Sequence, residues 1–214
     1  MNPRTVAPVV ADLADIDSLA GLIADAFAPL PPSRWLVDDN PRAWARIAPR
    51  YFALYLEHAV TGAGIVHTTA DRDAVAVWFD KTLSPPTAPA DYHYRLAEAT
   101  GAYVDRFRRF DVLLDAHQPH LGHHHLAFLA VRPDRQNQGL GTALIAHHHR
   151  YLDEHSVGAY LDAGSPDSYR LYLRHGYAPY GEPITLPGPQ RTQLWPMWRQ
   201  PGACKGTLLS PGAV

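Results

Sequence analysis

The chain has 214 residues, 46% of them hydrophobic, enough for one substantial core. Nineteen Lys and Arg against 21 Asp and Glu leave a formal net charge of −2, so bulk charge draws the protein to neither nucleic acid nor an anionic membrane. The single cysteine, Cys204, has no internal disulfide partner, the first residues MNPRTVAPVV lack the apolar stretch of a secretory signal, and no segment reaches the roughly 18 apolar residues of a membrane span; a cytosolic protein is expected.

The apolar run Val6 to Val10 predicts a first strand, and Asp12 or Asp15 can cap the helix that follows, where Ile16, Leu19, Ala20, Ile23 and Phe27 recur at helical spacing. The prolines of PLPPSRW are expected to end that helix in a loop beside the site. Asn40 and Pro41 start another helix with Trp44, Ile47, Tyr51 and Tyr55 on one side, and Pro49 is expected to kink or divide it. Residues 65–69 and 74–79, joined by ADRD, read as a hairpin. The proline-dense residues 84–91 read as an extended loop, and a helical region carrying Leu96, Val104, Phe107 and Leu114 follows, interrupted at Gly101. LAFLAV, residues 126–131, is a continuous apolar run too short for a helix and bounded by Pro133, as expected of a central strand. A helix through Leu140, Leu144, His148 and Leu152, a strand at 159–163, a helix at 166–175 and strands near Tyr177 and at 193–198 complete one domain over residues 1–200. Residues 201–214 form a tail. Strands alternate with helices and antiparallel pairs stand at both ends, so the fold class is mixed α/β or α+β.

The segment LAFLAVRPDRQNQGLGTALI places a buried strand, a glycine-containing loop and a helix start in succession. Gly139 and Gly141 let the backbone turn sharply and bring several N–H groups to an oxyanion, and the helix N-terminus adds its dipole. The Walker and dinucleotide-binding patterns do not fit: the first needs Gly-Lys-Ser/Thr, and the second needs Gly or Ala where Leu144 stands. Gln136, Asn137, Gln138, Gly139, Leu140 and Gly141 instead resemble the Q/R-x-x-G-x-G/A signature of the GNAT acetyltransferase superfamily. SPDSYRLYLRHGY, residues 165–177, is similar to that family's second motif, with Ser165 in place of its asparagine, Tyr172 on its tyrosine and Gly176-Tyr177 for its Gly-Phe. Segments at 73–78, 95–98 and 187–192 further resemble an antibiotic-modifying branch, whereas HHHLAF at 123–128 departs from it.

The resemblance implies a mostly antiparallel central sheet flanked by helices, with acetyl-coenzyme A as acyl donor at splayed central strands. Backbone groups of Leu129, Ala130 and Val131 would then pair with the pantetheine arm, residues Gln136 to Thr142 would cradle the pyrophosphate, and Ser165 and Tyr172 would face the cofactor. The expected reaction is direct transfer of acetyl to a primary amine of a small molecule, since no cysteine is placed to carry the acyl group. A backbone N–H of the 126–131 strand suits the developing oxyanion, and Tyr172 suits protonation of the leaving thiolate. Glu98, within RLAE, is the leading base candidate, with Asp80 and His125 as rivals. Trp78, Tyr92 and Tyr94, with His125, are expected to form an aromatic acceptor wall.

The runs at 123–125 and 147–149 invite a metal reading. Neighbours on a helix fan apart by about 100°, so His147, His148 and His149 cannot converge on one ion and are expected at the helix surface with one inward member. His123 and His125, even with His117, lack a visible carboxylate or cysteine partner, so no metal is expected. Peptide or protein N-acetylation and a non-catalytic coenzyme A sensor are the alternative functions, and the protein is expected to be a monomer or homodimer.

Overall fold

The structure, a computed structural model, describes residues 7–83, 89 and 91–202. Most of the proline-rich loop expected at 84–91, and Cys204 with most of the tail, lie outside the described residues. In chain order the elements are β1 (Val9–Val10), α1 (Ile16–Phe27), α2 (Pro31–Leu36), α3 (Pro41–His58), β2 (Gly64–Thr68), β3 (Ala74–Lys81), α4 (Tyr92–Thr100), α5 (Val104–Asp115), β4 (His123–Val131), α6 (Leu140–Glu154), β5 (Gly158–Ala163), α7 (Pro166–Arg174), β6 (Ala178–Pro179), β7 (Ile184–Thr185) and β8 (Gln193–Arg199). The strands form one sheet in the order β1-β2-β3-β4-β5-β8-β6, with β7 also paired to β8; every pair is antiparallel except β4 with β5.

Two cores lie on opposite faces of this sheet because successive strand residues point opposite ways. Val75, Val77 and Phe79 of β3 pack with residues of α1, α3 and α5, among them Leu19, Ile23, Ile47, Phe52 and Phe107. Ala74, Ala76 and Trp78 of the same strand pack with Leu144, Ile145 and Leu152 of α6 and with Tyr172 of α7. No described helix is long and apolar enough to cross a membrane.

Several local expectations change. α1 ends at Phe27 ahead of PLPPSRW as expected, but residues 31–35 of that segment are helical rather than a loop: Pro31 and Pro32 occupy the first turn of α2, where a missing N–H costs nothing. α3 runs unbroken through Pro49, because Trp44, Ile47 and Tyr51 bury one continuous face while Pro49 sits half-buried away from it. The histidine run at 123–125 belongs to β4 itself, extending the central strand toward its N-terminus. Two members of the α6 triplet are buried rather than one, His148 at 3% and His149 at 6% exposure. His148 stacks on Trp78 at 4.2 Å between ring centres, while His149 shares a 3.1 Å hydrogen bond with the Tyr177 hydroxyl. Gly101 breaks the helical region as expected, ending α4 with φ of 57°.

Candidate active site

β4 and β5 pair in parallel only at His123 with Gly158, His124 with Ala159 and His125 with Tyr160. Beyond His125 both strands continue without pairing, β4 to Val131 and β5 to Ala163, so the sheet splays open at its middle. Just past this point the β3–β4 register slips: Val77 opposes Phe128 and Trp78 opposes Leu126, which leaves Ala127 as a bulge. A bulge frees backbone groups from the ladder and re-aims the strand. Ala127 lines both of the cavities that meet here.

The inner cavity, about 260 Å³, runs along β4 from Leu126 to Val131 and reaches Gln136, Asp162, Ser165 and Tyr172 on one side and Phe27, Pro32 and Phe52 on the other. Gln136 opens the glycine loop that follows. Gly139 adopts φ of 83° and Asn137 φ of 61°, turning the chain into α6. The first amide of this helix start with a protein acceptor is Ala143, which donates to Gly139 O at 2.9 Å. The N–H groups of Gly139, Leu140, Gly141 and Thr142 have none among the described residues, and four free amides at a helix N-terminus suit a pyrophosphate. The loop is anchored from behind: buried Asp73 accepts from Arg132 and Arg135, each at 2.9 Å. Gln136 donates to Val131 O at 3.2 Å, and Thr142 shares a 3.3 Å bond with His175. A Cβ on Gly141 would meet Val131 and Leu129 side chains at 3.5 and 3.7 Å, ordinary contact, so what needs glycine most in the loop is the left-handed Gly139.

Tyr172 is buried, and its hydroxyl has no partner among the described residues; burial holds its pKa well above the usual phenol value, so it is protonated throughout the neutral range. Ser165 borders the same cavity, but its hydroxyl caps α7, accepting from Ser168 N at 3.1 Å. Asp162, on β5, carries the feature that sequence reasoning missed. Its Oδ1 accepts from the Tyr160 hydroxyl at 2.8 Å, and its Oδ2 is buried with no partner. Burial pushes its pKa up to about 7 against the lowering effects of the Tyr160 hydrogen bond and of His117 and Lys81.

The outer cavity, about 200 Å³, shares Tyr55, Leu114, His125 and Ala127 with the inner one and is further lined by Phe79, Lys81, Tyr92, Asp111 and Gln118. His125 stands at the junction, half-buried, its pKa pushed well down by desolvation and by Lys81 and His123, and is therefore neutral. Tyr92 lines the outer cavity as expected. His125 lines it too, but Trp78 and Tyr94 do not: Trp78 is fully buried on the α6 side of the sheet, since strand alternation gives the cavity face to Phe79, and Tyr94 is 69% exposed on α4. Glu98 is exposed on α4 outside the lining of either cavity, and Asp80 points to the α6 side, 3.7 Å from His124. Among the candidate bases, only His125 borders the junction.

Solved structures share this architecture. A Corynebacterium glutamicum protein described as histone acetyltransferase HPA2 and related acetyltransferase superposes with a TM-score of 0.67 at 22% identity, covering 94% of this chain and 99% of that one. Arylalkylamine N-acetyltransferase 2 from Aedes aegypti gives 0.63 at 14% identity over 92% and 99%. The Escherichia coli ribosomal-protein-S18-alanine N-acetyltransferase gives 0.50 at 16% identity over 95% and 98%. At these identities the likeness is one of fold. The sequence profile of the acetyltransferase (GNAT) family matches residues 22–177, spanning the splayed strands, the glycine loop and Tyr172, and the chain belongs to that family of acetyl-coenzyme A-dependent acyltransferases.

Proposed function

We propose that the protein transfers acetyl from acetyl-coenzyme A directly to a primary amine of a small amphipathic molecule. The observation that carries this reading is the junction itself: two cavities meet at the Ala127 bulge, one reaching Gln136 at the start of the glycine loop, the other lined in part by the rings of Tyr55, Phe79 and Tyr92. Acetyl-coenzyme A supplies an activated thioester carbonyl. The residues at its binding groove do the rest. The glycine-loop amides hold the phosphates, and a backbone N–H freed at the bulge stabilises negative charge developing on the carbonyl oxygen. Only a neutral amine attacks, and Asp162, ionised in part near pH 7, accepts the ammonium proton on its free Oδ2. Tyr172 donates its proton to the departing sulfur. His125, neutral at the junction, orients the amine.

An amphipathic acceptor fits because Phe79, Tyr55 and Tyr92 offer ring faces, and apolar burial there contributes about 25 cal/mol per Å². The sequence segments similar to puromycin N-acetyltransferase point to the same class of amine. The test is acetyl-coenzyme A consumption against arylalkylamines, aminonucleosides, aminoglycosides, polyamines and peptide amino termini. Higher kcat/KM for amines bearing an aromatic ring is expected. Preference for polycations, or turnover of peptide termini alone, would refute the acceptor class.

A further inference from the structure

The outer cavity holds a polar cluster that the chemistry at the junction does not use. Tyr55 from α3, Tyr92 from α4 and Asp111 from α5 converge there. The Tyr92 hydroxyl donates to Asp111 Oδ2 at 2.8 Å, the Tyr55 hydroxyl reaches Oδ1 at 3.3 Å, and the two hydroxyls lie 2.9 Å apart. A carboxylate has about four acceptor positions, and two hydroxyl donors leave about half of them open. Among the described residues Asp111 is partnered by the two tyrosine hydroxyls and forms no ion pair with an Arg or Lys, and Lys81, which lines the same cavity, directs its ammonium to Gln118. Desolvation and Asp115 raise the Asp111 pKa to about 6, against the lowering effects of the two tyrosines and His93, so the ionised form prevails at neutral pH. Leu54, Phe79, Leu114 and Ala127 give the cavity its apolar wall, and His58, Asp115 and His125 complete its polar lining.

We propose that Asp111, framed by Tyr55 and Tyr92, is a specificity subsite that accepts a hydrogen bond from a donor at the far end of the acceptor amine, a phenolic hydroxyl or second amino group carried on a single ring. The proposal rests on the acetyl-transfer reading above and narrows its substrate class. The size agrees. About 200 Å³ lies below the roughly 300–1,000 Å³ of drug-sized pockets, leaving room for one ring with short arms. The reacting amine sits by His125 and Ala127, where both cavities meet, and the ring lies against Phe79 and Tyr92 with its far substituent at Asp111.

Three probes separate the possibilities: phenethylamine, 4-hydroxyphenethylamine and 4-(aminomethyl)phenethylamine, each titrated calorimetrically into the coenzyme A-saturated protein and assayed for acetylation. With the wild-type chain, both donor-bearing amines are expected to bind at least about tenfold more tightly than phenethylamine, the diamine most strongly, since hydrogen bonds to a charged group are the stronger kind. Asp111→Asn should cut the diamine's preference at least about tenfold while leaving phenethylamine and coenzyme A affinities unchanged. Tyr92→Phe should keep most of the preference, because the carboxylate remains. Equal binding of the three amines, no binding of any, or a preference that survives Asp111→Asn overturns the subsite, and the wild-type comparison alone can do so if a variant fails to fold. Acetylation without the preference sinks the subsite and leaves acetyl transfer standing; the preference without acetylation does the reverse.

Discussion

The two faces of the sheet bury titratable groups in opposite ways. On the α6 face, His67, His148 and His124 bond in series: His67 Nε2 and His148 Nδ1 lie 3.0 Å apart, and His148 Nε2 and His124 Nδ1 lie 3.1 Å apart, with His67 Nδ1 left buried and unpartnered among the described residues. Trp78 stacks beneath them, and desolvation drives the pKa of His148 to about 2 and of His67 to about 4. On the opposite face Asp162 and Asp111 border cavities, keep acceptor positions open and titrate near 7 and 6. Burial alone therefore does not mark a site. The imidazoles, which line a cavity on their own face, are held neutral by desolvation, and His148 by its histidine neighbours as well, whereas the carboxylates stay poised to exchange protons near neutrality, as acid–base chemistry requires.

The strongest break of this contrast is Asp162→Asn, which removes the proton acceptor and leaves the shape. A general base contributes about 10²–10⁴-fold, so kcat should fall by at least about a hundredfold with coenzyme A affinity unchanged. The wild-type kcat/KM should rise with pH through an inflection near 7, because the carboxylate works only when ionised, and the variant should lose that inflection. A variant with the same turnover and the same profile would move the base elsewhere, with neutral His125 the next candidate.

A smaller effect is expected for Tyr172→Phe, which keeps the ring packed 5.7 Å from that of Tyr177 and deletes only the unpartnered hydroxyl. Turnover should drop about 10- to 100-fold with cofactor binding retained, by the reading that a loss in kcat without a loss in binding removes a transition-state interaction. Unchanged turnover, with chemistry shown to be rate-limiting, would make Tyr172 a packing residue and move the contrast back toward β5.

Much of the cofactor half was readable before any coordinates. A continuous apolar strand, two closely spaced glycines and a helical period are local signals, and the free amides of residues 139–142 follow from them. The acceptor half depends on parity and on distant contacts. Trp78 and Phe79 are both aromatic, and only the pairing of β3 decides which faces the cavity. Asp111 lies among charged neighbours on α5 with nothing local to single it out, and its tyrosine partners are 56 and 19 residues away. Asp162 did leave a trace. A carboxylate inside the otherwise apolar strand GAYLDA needs a reason to be there, and weighing that against the exposed Glu98 would have found it.

The smallest predicted effect tests the histidine face. His148→Phe keeps a ring against Trp78 but leaves His67 and His124 without a common partner, so a loss of about 1–3 kcal/mol is expected at pH 7.5. Below pH 6.5 this difference shrinks. The folded pKa of His148 is depressed, so the unfolded chain takes up a proton that the folded chain refuses, and wild-type stability is lost as pH falls from about 6.5 toward 2. Each such histidine contributes a slope of about 1.4 kcal/mol per pH unit, which the variant lacks. Asp162 and Asp111 act in the opposite direction over part of the same range, but they are present in both proteins and cancel in the difference. Denaturant unfolding at half-unit steps from pH 7.5 to 4.5 should therefore show two stability curves that converge within one or two units below pH 6.5. Curves that stay parallel would mean that His148 accepts its proton in the fold, and that the α6 face is as open to titration as the face that carries the carboxylates.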